Sequence, residues 1–242
     1  MRRKLLLVVG LLLVVLVGVV TIRFGVYLRE KVNSGLVDRN QGEEPPVLIQ
    51  NIGIDFDDFE FTESEVSFNR LFFDYGFEIP ANELGPVKFN PQPTFILPLG
   101  SEVSSLIDGV VVGTPKLYSG DFSVMVAPEL DSIWAYELEH VINVRVKVGD
   151  RVKAGQVVAE VSDFDSHNYA GLGLVEIGVL RGGNPPVHLC PFLYLDSFIE
   201  QEVESEILEL YRSWEEFRGD EDVYDESAYV TPGCLTSEEI EG

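Results

Sequence analysis

From residue 144 to residue 161, valine alternates with charged or small polar positions, breaking at Gly149-Asp150 and again at Ala154-Gly155-Gln156. Period-two alternation cut by Gly-Asp and Ala-Gly predicts short antiparallel strands folded by tight turns. The same texture extends over residues 94–195. Strands are expected at 109–113, 122–127, 133–139, 144–148, 157–161 and 174–180, with turns at 118–121, 128–131 and 182–186. After 195 the period changes. Ile199, Val203, Ile207, Leu210, Tyr211, Trp214 and Phe217 form one apolar stripe at helical spacing, which predicts an amphipathic helix over 196–218. Ser197 with Glu200 reads as its capping box and Gly219 as its stop. The expected helix docks on the β-domain, and an acidic, irregular tail follows.

The first half is patterned differently. Residues 5–22 are uncharged and apolar, preceded by Arg2-Arg3-Lys4. As a helix they would reach about 27 Å, enough to cross a bilayer core. The first 80 residues contain no alanine, so the small-residue cleavage site of a secretory signal is missing. The expectation is an uncleaved transmembrane anchor over 1–22, its N-terminus cytoplasmic and the bulk of the chain extracytoplasmic. A stalk over 23–46 ends in the polar, proline-bearing run 40–46. Residues 47–93 form an accessory, aromatic-rich segment. Ile52, Ile54 and Phe56 alternate like a strand, and Thr62-x-x-Glu65 suggests a short helix ending before Gly76. The aromatic residues there pack on the β-domain or form a glycan-stacking platform, and periodicity does not separate the two.

Charge narrows the function classes. Of the 17 basic residues, Arg2, Arg3, Lys4 and Arg23 flank the apolar run, which leaves 13 to set against 41 acidic ones. Such a field repels phosphate backbones and excludes nucleic acid as a partner. Asp55, Asp57, Asp58 and Glu60 lack the order of a calcium loop and read as solvated carboxylates. Cys190 and Cys234 suit a disulfide tying the tail to the β-domain, with His188-Leu-Cys190 as a metal pair the alternative. The chain carries no phosphate loop and no nucleophile elbow.

Taken in order, Leu97-Pro-Leu-Gly-Ser-Glu-Val103, Ile107-Asp-Gly-Val-Val-Val-Gly113, Tyr136-Glu-Leu-Glu-His140, the valine run, Leu174-Val-Glu-Ile177 and 185–195 resemble the β-core of lysostaphin and LytM-type zinc endopeptidases. The resemblance covers about 100 residues and implies a barrel-sandwich (duplicated hybrid motif) domain that cleaves cell-wall peptides through zinc. Transferred position by position, the family's ligand histidine falls near Asn90 and its ligand aspartate near Thr94. Its H-x-H pair falls on Leu172 and Leu174, and an assisting histidine falls on His140. Catalytic zinc needs three protein donors beside an open position, and amide, hydroxyl and hydrocarbon do not supply them. The expectation is therefore a degenerate member: no catalytic residue, no metal and no cofactor, with His140 and Glu176 as residual candidates. Its partner would be an envelope polymer or envelope protein. The alternative is a metalloendopeptidase with a rearranged zinc site made from His140, Asp165 and His167.

Overall fold

A computed structural model describes residues 44–81 and 86–241. The anchor expected at 1–22 and nearly all of the 23–46 stalk lie outside the described residues. No helix among the described residues is long and apolar enough to cross a membrane.

Thirteen strands are described: β1 (Phe72–Phe73), β2 (Glu78–Ile79), β3 (Lys88–Phe89), β4 (Thr94–Leu97), β5 (Glu102–Ser104), β6 (Gly109–Gly113), β7 (Phe122–Ala127), β8 (Trp134–Ile142), β9 (Arg151–Val152), β10 (Val157–Val161), β11 (Gly173–Arg181), β12 (Val187–Leu189) and β13 (Ile240–Glu241). One antiparallel sheet runs β1-β4-β11-β8-β7-β6-β9. From that path β10 joins β8 to β5, and β12 joins β11 to β13, while β2 and β3 form a small separate sheet. The mainly β, antiparallel fold with one C-terminal helix is as expected.

The centre of the sheet is β11, held between β4 and β8. Its residues run Gly-Leu-Val-Glu-Ile-Gly-Val-Leu-Arg, and all but Glu176 and Arg181 are buried. Such near-continuous burial is what a strand covered on both faces shows. Gly173 admits no alternative residue at its present spacing, because a Cβ there would lie 1.9 Å from the Ser162 carbonyl oxygen.

The helix α1 (Glu200–Arg218) buries Val203, Ile207, Leu210, Tyr211 and Trp214 and stops at Gly219, which is left-handed at φ 62°. The stripe and the stop are as the periodicity predicts. The capping box is not. Ile199 occupies the N-cap without a side-chain bond, and the Asp196 carbonyl accepts from the Ile199 and Glu200 amides instead. The helix docks on the accessory segment. Tyr211 donates to Asp74 at 2.5 Å, the Trp214 indole donates to the Asn69 carbonyl at 2.8 Å, and Phe61 packs edge-on to Trp214. Asp74 has no exposed surface; burial pushes its carboxyl up to about 6, against the pull of Tyr211 and Arg70.

Three local expectations are corrected. Residues 52–56 are not a strand; Ile52 and Ile54 are buried from an irregular stretch that leads into a 3-10 turn at Phe56–Asp58. The helix expected after Thr62 does not form. Ser64 closes a local turn onto the Thr62 hydroxyl, and the chain then pairs Phe72–Phe73 with β4. Pairing buries both phenylalanines, a tertiary gain that outweighs the local capping signal. Residues 144–148 form no strand: 144–147 lack regular structure and Val148 enters a turn, although the Arg145 amide donates to the Val158 carbonyl. Most of the aromatic residues at 56–77 do pack on the core, and Phe68 is the half-exposed exception.

The tail is more ordered than its acidity suggests. Cys190 and Cys234 form a disulfide over a separation of 44 residues, and β13 adds to the edge of β12. Replacing both cysteines by serine is expected to cost ~2–4 kcal/mol of unfolding free energy. Denaturant unfolding of the oxidised and double-serine chains measures this, and equal midpoints would contradict it.

Candidate functional site

Register decides which side chains meet. Across β8 and β11, Glu139 pairs with Glu176 and Glu137 with Gly178, while across β11 and β4 Glu176 pairs with Thr94. Directly opposed residues on neighbouring strands share a face and lie ~4.5–5.5 Å apart at Cβ. Glu137, Glu139, Glu176 and Thr94 therefore project from one side of three adjacent strands. Gln92, in the turn before β4, lies over the same patch. Its amide nitrogen donates at 3.2 Å to Glu137 Oε2 and at 3.2 Å to Glu139 Oε2. Gly178 makes room for it, since a Cβ at that position would meet Gln92 Oε1 at 2.7 Å.

Three acids placed so closely cannot all hold charge. Burial, reinforced by the Glu139 carboxylate, pushes Glu176 up to about 8. Burial and then Glu137 push Glu139 up to about 7, and burial raises Glu137 despite hydrogen bonds from Ser123 and Gln92. Glu139 and Glu176 remain partly exposed as residues, whereas Glu137 and Gln92 are buried. At neutral pH the patch therefore holds protons on carboxyl groups.

Beside it, β8 carries a bulge. The β7–β8 register shifts between Phe122 and Val124, and His140 adopts φ 60°. A bulge re-aims the side chains at its position. His140 Nδ1 lies 2.9 Å from Asp121 Oδ2, and its ring stacks on Phe164 at 3.8 Å. Ser162 donates to the same Asp121 oxygen at 2.7 Å, and Ser119 donates to the other. Burial works against the Asp121 charge, yet the hydrogen bonds from Ser119, Ser162 and His140 win and hold its carboxyl below the usual range. Burial lowers His140, with Asp121 pulling the other way. A neutral imidazole donating Nδ1–H to an ionised Asp121 satisfies both groups. Ser162 bonds to the aspartate and not to the imidazole, so this is no nucleophile–base pair.

The expected site residues divide. Asn90, Thr94 and Glu176 converge: the Asn90 amide donates at 3.3 Å to Thr94 Oγ1, which lies 3.4 Å from Glu176 Oε1. Leu174 is buried opposite Ile96, and Leu172 is packed on the core. The trio His140, Asp165 and His167 does not assemble. His140 is bound to Asp121, while the largely exposed His167 side chain has its Nε2 3.6 Å from Asp165 Oδ1. His188 is buried with Nδ1 unpartnered, and the neighbouring Cys190 is in the disulfide, so the two form no metal pair. Among the described residues no group of three or more His, Cys, Asp or Glu is placed to hold a metal ion. The residues at the expected zinc positions do not fit zinc, because the Asn90 amide is spent as a donor on the Phe73 and Asp74 carbonyls and on Thr94.

Sequence reasoning missed Glu137, Gln92, Asp121 and Ser162. Alternation marks Glu137 and Glu139 as sharing a face, which was available. That this face is the inward one required the register. A separate cavity of about 500 Å³ lies between residues 50–58 and the start of α1, with Asp55, Asp58, Glu102, Glu202 and Glu206 in its lining, and it shares no residue with the carboxyl patch.

A pH dependence follows. Glu139 and Glu176 titrate higher folded than unfolded, so the folded chain binds more protons between about 4.5 and 8 and loses stability as pH rises through that window. Denaturant midpoints should fall from pH 5 to pH 8, and the Glu139→Gln/Glu176→Gln double variant should flatten the decline. At pH 8 the variant should be more stable by an amount on the order of a few kcal/mol. An identical slope in the variant would remove the patch as the cause.

No family model matches the chain, and no curated protein matches it. Solved structures do. A zinc-containing peptidase from Vibrio cholerae is 22% identical, with 58% of this chain and 39% of that chain covered at a TM-score of 0.40. The antimicrobial peptidase lysostaphin from Staphylococcus simulans is 21% identical, with 46% and 43% covered at 0.37. The SpoIIQ–SpoIIIAH pore-forming complex is 16% identical, with 62% and 92% covered at 0.42. The chain spans less than half the length of those two peptidases.

Proposed function

We propose that the chain is a single-pass, membrane-anchored, extracytoplasmic module of the lysostaphin-type fold that has lost zinc hydrolysis. It engages an envelope polymer or an envelope protein through the sheet face around Thr94, Glu139 and Glu176, with residues 5–22 as its anchor and its N-terminus in the cytoplasm. One observation carries this reading. Where a zinc hydrolase needs three free donors and an open position, Asn90 and Thr94 bond to each other and Leu172 and Leu174 are hydrocarbon. Burial shifts the nearby Glu139 and Glu176 toward their protonated forms, whereas ligation needs them ionised.

Two measurements on the purified full chain test it. Elemental analysis should find metal well below one equivalent. Pull-down with isolated cell-wall sacculi should show saturable binding that survives chelation, with no release of soluble peptide. Stoichiometric zinc with chelator-sensitive release, abolished by both His140→Ala and His167→Ala, would restore the metallopeptidase reading.

A further inference from the structure

The carboxyl patch contains one unpaired group that its own chemistry does not explain. Gln92 is 3% exposed, both its amide hydrogens are directed at Glu137 and Glu139, and its Oε1 has no hydrogen-bond partner. A buried acceptor without a donor is unusual in a native fold. This one lies over Gly178, beside Glu176 on the same strand face. Around it stand the carboxyl groups of Glu137 and Glu139 on β8 and Glu176 on β11, which accept hydrogen bonds when ionised, and Thr94 on β4, whose hydroxyl is directed at Glu176 and the Gln92 backbone carbonyl. No lysine or arginine forms an ion pair with any of the three glutamates among the described residues.

We infer that the Gln92, Glu139 and Glu176 patch binds a primary ammonium group, such as the free side-chain amine of a peptide. The inference rests on the binding-module reading and supplies the chemistry of its ligand. An ammonium carries three N–H donors and no acceptor. The orphaned Gln92 oxygen and one oxygen each from Glu139 and Glu176 provide three matching acceptors, two of them on partly exposed residues. A neutral hydroxyl would satisfy Gln92 but would leave the glutamates' protonation unchanged. A metal ion fits less well, since no group of three ligating side chains is placed to hold one among the described residues.

Binding is then coupled to protons. Facing the amine are Glu137, Glu139 and Glu176, with Asp121 and its His140 at the bulge and Tyr169 and Asp165 from the loop before β11; burial pushes Glu139 up to about 7 and Glu176 up to about 8. The arriving cation favours their ionised forms. Protons leave as the amine enters, and affinity should rise as pH climbs from 6 to 8.

The probe is Nα-acetyl-lysine methylamide, titrated into the full chain by calorimetry at pH 7 in two buffers of different ionisation enthalpy. One saturable site with net proton release is expected, and no binding of the Nε-acetylated, uncharged analogue. Glu139→Gln/Glu176→Gln should weaken binding by about tenfold or more through loss of charge-assisted bonds. Amide mimics the protonated acid, so this variant should keep its fold. Gly178→Ala, which pushes a Cβ against Gln92, should also weaken binding, and the exposed Glu129→Gln should not. Equal binding of the acetylated analogue, an unaffected double variant, or variant-sensitive binding of zinc or magnesium in place of the amine would each overturn the site. Sacculus binding without lysine binding removes this inference alone. Lysine binding without sacculus binding supports the site and removes the module reading.

Discussion

The cross-strand pairing of Glu139 with Glu176 is the constraint on which the rest of the carboxyl patch depends. Two acids opposed at β-sheet spacing repel when both are ionised. The fold keeps them by desolvating the pair, which returns protons to it, and by spanning Glu137 and Glu139 with the Gln92 amide. Gly178 gives Gln92 the room to lie there. A polar cluster of this kind is tolerated in a sheet interior only when nearly every member is satisfied. The Gln92 carbonyl is the member that is not.

The bulge at Glu139–His140 separates this protonated patch from an ionised one a residue away. Asp121 is fed by two serine hydroxyls and an imidazole, which hold its carboxyl low, while burial raises the glutamates, which have fewer donors. Neighbouring acids are thus split by burial and hydrogen-bond supply. Asp74 beneath α1 differs: Tyr211 and Arg70 bond to this fully buried acid, yet burial still raises its carboxyl. Tyr211 on Asp74 and the Trp214 indole on Asn69 fix the helix to the accessory segment. The sheet carries the carboxyl patch, while the helix, the accessory segment and the disulfide-tied tail brace the edge where β1 and β12 lie.

Much of this was legible. Period-two valine runs placed the sheet, and the stripe from Val203 to Trp214 placed the helix, because burial imposes those spacings directly on sequence. Residues 52–76 were misread since their order comes from pairing Phe72–Phe73 with β4 and from packing beneath α1, contacts that local signals do not encode. The site was half legible. Asn90, Thr94, His140 and Glu176 were singled out through the resemblance, and the expectation of a missing zinc site came from the amide, hydroxyl and hydrocarbon at Asn90, Thr94, Leu172 and Leu174. That Glu176 meets Glu139, or that His140 turns to Asp121, depends on register and on a bulge, and a one-residue slip would reverse both.

Carbon-13 detection of the glutamate side-chain carboxyls across a pH titration of the folded chain tests the central claim most directly. Two resonances assigned to Glu139 and Glu176 should titrate as a coupled pair near pH 7 to 8 and vanish from that range in the Gln double variant. If every glutamate titrates with a midpoint below about pH 5, as in unperturbed peptides, the pair holds no protons at neutrality and the account of the carboxyl patch is wrong.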